Sequence, residues 1–111
     1  MPENERRPPR TGSAGAAPDG QWQRQMMMAV AWVGPLVSTL ALPPEELTDF
    51  LWRHATDDDG LQHLRVRSVQ DEMMIFGFLM ADSEPQARTI LRNLTRKTIS
   101  NEPRLWLWRI V

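Results

Sequence analysis

Leu61 to Ala81, LQHLRVRSVQDEMMIFGFLMA, is the stretch that decides how the chain folds. In its first half Leu64 and Val66 alternate with His63, Arg65 and Arg67, the period of two expected of a strand with one face in water. Gln70-Asp71-Glu72 is a tight polar turn. Met73 to Ala81 is then a continuous apolar run bounded by polar residues, as in a strand covered on both faces. The two halves predict a hairpin whose second strand is central in a sheet.

Working upstream, Pro43-Pro44-Glu45-Glu46 predicts a helix start, because proline is tolerated in the first turn and acids suit the positive end of the helix dipole. Leu47, Phe50, Leu51 and His54 come next at i, i+3, i+4 and i+7, one apolar face that ends at Asp57-Asp58-Asp59-Gly60. Before it, Met26 to Val33 reads as a buried strand ending at the Gly34-Pro35 turn. Downstream, Ser83 and Gln86 form a capping-box pattern, and Ala87, Ile90, Leu91 and Leu94 make the stripe of a second helix reaching about Ile99. Leu105 to Val111 reads as a last strand. Strand, helix, strand, strand, helix, strand predicts an α+β fold of the ferredoxin-like βαββαβ kind. Both helices are then expected on one face of a four-stranded antiparallel sheet, with the first and third strands central.

The 111 residues, 24% charged and 41% apolar, suit one small globular domain. Residues 1–20 hold four of the nine prolines and three of the six glycines, without Leu, Ile, Val or an aromatic residue. Such a segment buries too little to offset ordering its backbone, so a disordered tail is expected there, with the domain over 21–111. The absence of cysteine excludes disulfides, thiolate catalysis, zinc-thiolate sites and iron–sulfur clusters. With only His54 and His63, no metal site and no cofactor are expected. The basic residues are 12 Arg and Lys97, a bias that records a GC-rich genome, and the formal net charge of −1 disfavours non-specific nucleic-acid binding.

Residues 26–42 carry no charge and come after several arginines, so a targeting segment with a cleavage site near Ala41 competes with the first strand. Gly34-Pro35 in its middle and its short length argue against a membrane span. The expected location is the cytoplasm, with a secreted or processed form left open.

The candidate site derives from the sheet. Either phase of Met73–Ala81 leaves an apolar stripe on the face the helices do not cover. A coherent choice turns Ile75, Gly77 and Leu79 to the helices, and puts Trp32, Phe76, Phe78, Met80, Trp106 and Trp108 on the open side. A patch of that size exceeds the few hundred Å² usual for a monomer. Its cover is expected to be a second copy, in a homodimer, the chain's own N-terminal end around Trp22 folded back across it, or a protein partner or ligand.

Ala31-Trp32-Val33-Gly34-Pro35-Leu36 is similar to the first-strand ribonucleoprotein segment of RNA-recognition motifs. Phe76-Gly77-Phe78-Leu79 resembles the centre of their third-strand segment, and Asp82 to Ile90 resembles the stretch of those motifs just after that strand. The resemblance implies that Trp32, Phe76 and Phe78 stack bases. The chain departs from that pattern at Met74, where the family has Lys or Arg, at Ile75, where it has Gly, and at Ala81, where it has an aromatic residue.

Arg88, Arg92 and Arg96, at four-residue spacing on the second helix, form a basic ridge that suits an anion or an acidic partner. Asp57-Asp58-Asp59 lacks the spaced ligands of a calcium loop. Ser38, Thr39 and Ser68 have no base, and no glycine-rich phosphate loop occurs. The residues therefore predict a non-enzymatic interaction or regulatory module that self-associates or docks a protein on its sheet face. Single-stranded RNA binding and a small-ligand sensor are the alternatives.

Overall fold

The computed structural model describes residues 24–37 and 41–111. The expected tail over 1–20, Trp22, Ser38 and Thr39 lie outside them. The elements are β1 (Gln25–Pro35), α1 (Pro44–His54), β2 (Leu61–Val69), β3 (Glu72–Ala81), α2 (Glu84–Asn101) and β4 (Trp108–Ile110). They make an α+β fold: one four-stranded sheet in the order β2-β3-β1-β4, every neighbouring pair antiparallel. The long apolar runs occupy the two central places, as their lack of a polar face requires.

Strand phase tracks burial. Ala29, Ala31 and Val33 of β1 stand opposite Gly77, Ile75 and Met73 of β3, and all six are buried. Leu47, Phe50 and Leu51 of α1 and Ala87, Leu91 and Leu94 of α2 join them in one cluster, so both helices cover the same sheet face. Each fully buried Leu or Ile in such a cluster contributes about 1.5–3 kcal/mol. Gly77 permits the close approach of α2, since a Cβ there would stand 3.1 Å from a Leu91 methyl.

The helix starts form as their sequences dictate. Pro44 opens α1 with Glu45 and Glu46 in its first turn. At α2 the Ser83 hydroxyl accepts from the Gln86 N–H, while the Gln86 side chain accepts from the Asp82 N–H. The ends of the two helices are clasped together. Glu102, just past α2 and 8% exposed, accepts from Arg53 at 2.9 Å and from His54 Nε2 at 2.8 Å. A carboxylate only accepts, so His54 Nε2 carries the proton. The His54 hydrogen bond, aided by Arg53 and opposed by burial, holds the Glu102 carboxyl below its ordinary range. His54 is thus a structural residue of the clasp.

The expected last strand over 105–111 is corrected. Pro103–Leu105 forms a 3-10 turn, in which the Leu105 N–H donates to Glu102 and the Trp106 N–H to Pro103, and the strand is shortened to 108–110, in register with 33–35 of β1. Asp57–Asp59 is likewise a 3-10 turn, closed by Gly60 at φ 67°. No helix among the described residues is long and apolar enough to cross a membrane.

Candidate functional site

The face of the sheet away from the helices is built from the even-numbered residues of β1 and β3. Met26, Met28, Val30 and Trp32 lie in register with Met80, Phe78, Phe76 and Met74. Met26 and Met28 are more than half exposed, and the other six are partly exposed. Alternation dictates this: once Ile75 and Leu79 are drawn into the core, their neighbours must point the other way.

The hairpin adds a second character to the face. Its turn places Gln70 at φ 58° and sets β2 so that His63, Arg65 and Arg67 stand opposite Phe78, Phe76 and Met74. The His63 and Phe78 rings meet edge to face, with centroids 6.3 Å apart. With Leu64 these residues border a shallow depression of about 520 Å³ between Phe76, Phe78 and the two arginines. Arg109 of β4, opposite Gly34, adds a third guanidinium, and the Glu72 side chain lies beside Gly34. The open face is therefore an apolar, aromatic band edged with cations.

Of the predicted residues, the register brings Trp32, Phe76, Phe78 and Met80 together on this face. The two tryptophans of the last strand do not join them. Trp108 is 6% exposed and packed in the core beneath the sheet, while Trp106 is 73% exposed and lies outside the strand. Both departures have one cause: the Pro103–Leu105 turn resets the phase, so that Leu105 and Trp108, three residues apart, are the pair that points inward. Sequence reasoning overlooked His63, Arg65 and Arg67 as members of the face. The signal was present in the alternation of 61–69 together with a short turn, which fixes the cross-strand partners.

The basic ridge divides. Arg88 and Arg92 border a small notch with Val30, Ala31, Trp32, Ile110 and Val111, at the margin of the sheet. Arg96 is turned to the Asn93 side chain at 3.0 Å and is exposed. Among the described residues no group of three or more His, Asp or Glu gathers to hold a metal ion. In comparisons with protein-family models, with curated proteins and with solved structures, the chain matches none.

Proposed function

We propose that this chain is a non-enzymatic interaction module whose open sheet face engages a protein surface of apolar and acidic residues. One observation carries the reading: Trp32, Phe76, Phe78 and Met80 form an apolar band that no described element covers, flanked by Arg65 and Arg67. Aromatic and guanidinium groups on a rigid sheet are what a docking surface uses, the rings for area and the forks for carboxylates. We read the strand order, with both helices on one face, as the ferredoxin-like arrangement, which leaves this face free for such work.

Selection from a random peptide library on the full chain tests the proposal. Bound peptides should combine apolar with acidic residues, weaken as salt is raised, and lose binding to the Phe76→Ser, Phe78→Ser variant. Peptides that bind the variant equally well would refute it.

Single-stranded RNA is the second reading, and the pairing of Arg65 with Phe76 and of His63 with Phe78 favours it, because stacking platforms beside cations suit bases and phosphates. It requires a tryptophan-fluorescence response to mixed oligonucleotides at low salt. A flat titration would remove it.

A further inference from the structure

β1 is central in the sheet only along part of its length. The Val111 N–H donates to the Trp32 carbonyl at 2.9 Å, and the Leu36 N–H to the Leu107 carbonyl at 2.7 Å, so the backbone of the even-numbered residues of β1 points toward β4. β4 spans three residues opposite 33–35. Beyond Val111 the same row continues with Val30, Met28 and Met26, and no described strand receives their N–H and C=O groups. β1 itself brings no guard to this edge. Gln25–Pro35 contains no charged residue, its one proline stands at the paired end, and Met26 and Met28 are 56% and 51% exposed. Natural sheets protect such edges with lysine, proline or bulges when they are to stay single.

We propose that a second copy of this chain occupies the edge, the two β1 strands pairing antiparallel about a twofold axis near Met28 and joining two sheets into one of eight strands. Three features select a copy of the chain as the occupant. Pairing about Met28 sets Met26 opposite Val30 of the copy and Val30 opposite its Met26, apolar against apolar. Each copy supplies three N–H and three C=O groups, so the row is complete without any other chain. The flanking helices are also complementary. α2 begins just after Ala81, which stands opposite Gln25, and ends before β4, which begins opposite Pro35, so it runs parallel to β1. The axis therefore turns the start of one α2, with Asp82 and Glu84, toward the Arg88 and Arg92 that border the notch beside Val30 on the other. This association uses the backbone of the edge and does not depend on what the open face binds.

The test is the solution mass of the full chain by light scattering after size exclusion, over a wide range of concentration. Wild type should reach twice 12.8 kDa. Met28→Pro removes an N–H that only the copy would use and leaves the β1–β3 ladder intact, so it should be a monomer with an unchanged far-UV spectrum and a dimer dissociation constant raised at least tenfold. The Phe76→Ser, Phe78→Ser variant should remain dimeric. A wild-type monomer at every concentration overturns the proposal, as does a dimer that survives Met28→Pro; loss of the dimer only in the Phe76→Ser, Phe78→Ser variant overturns it too, and assigns self-association to the face instead. If Met28→Pro fails to fold, Met28→Cys decides, because the chain has no other thiol. Residues paired across the axis lie about 5.5 Å apart at Cα, within disulfide reach. Mild oxidation should give a covalent dimer. Failure of Met28→Cys to cross-link where Phe78→Cys does would overturn it.

Discussion

Replacing Trp108 by alanine is the sharpest test of how the end of the chain is packed. The side chain is 6% exposed and belongs to the cluster that holds Leu105, Leu94 and Val33. Its removal withdraws a large apolar surface and leaves a cavity that the sheet above and α2 cannot fill, a change that costs about 3–5 kcal/mol. Against a total stability of roughly 5–15 kcal/mol this is a large fraction. The expected fall in Tm is on the order of 20 °C for a domain of this size. Trp106, two residues away and 73% exposed, supplies the control: Trp106→Ala should stay within about 0.5 kcal/mol of wild type. Urea unfolding of the three proteins, monitored by far-UV circular dichroism, measures both effects. Equal effects, or a larger loss for Trp106→Ala, would refute the inward placement of Trp108 and with it the phase of β4.

Three single residues give further expectations. Glu102, held below its ordinary pKa by His54 and Arg53, contributes stability that is present above 4.5 and is lost as the pH falls through its lower folded value. Glu102→Gln should remove that part of the acid dependence, seen as a flatter plot of Tm against pH below pH 5; an unchanged acid limb would show that the clasp does not couple to folding. Gly60→Ala should destabilise by about 1–3 kcal/mol, because φ is 67° there and a Cβ would stand 2.9 Å from the Met80 carbonyl oxygen. Thermal melts report it, and a neutral result would place that strain elsewhere. Gln70→Gly should raise stability by up to about 1 kcal/mol, since Gln70 occupies the left-handed region at φ 58°. A loss in the same assay would mean that the glutamine side chain stabilises the turn.

Where periodicity ran uninterrupted, the fold was legible in the residues. The apolar runs of β1 and β3, the alternation of β2 and the i, i+3, i+4 stripe of α1 each fall within a residue or two of the observed bounds. What escaped was governed by tertiary context. Thr95 and Thr98 look polar yet are fully buried, because each hydroxyl donates to the carbonyl four residues back, Leu91 at 2.7 Å and Leu94 at 2.8 Å, which satisfies it within the helix. Leu42, in the connection before α1, is drawn into the core without any periodic signal. In the candidate site, alternation sufficed for Phe76, Phe78 and Met80, but Trp108 was misplaced because the Pro103 turn breaks the strand in which it was counted.

The separation in sequence between β1 and β3 bears on how the molecule assembles. Their partners lie from 40 residues apart, at Val33 and Met73, to 56 apart, at Gln25 and Ala81. The β2–β3 hairpin, by contrast, closes through the short turn at Gln70 and Asp71 and forms early, on the microsecond scale of such events. Until β1 docks, one margin of β3 stands open beside Phe76 and Phe78, in a species that holds native hairpin structure but no central pairing. Loop-closure entropy delays the docking step, so β1 entry should limit the folding rate. β4, whose one neighbour in the sheet is β1, can dock only after it, and during synthesis the uncharged Met26–Val33 segment waits for most of the chain to emerge before its β3 partner exists.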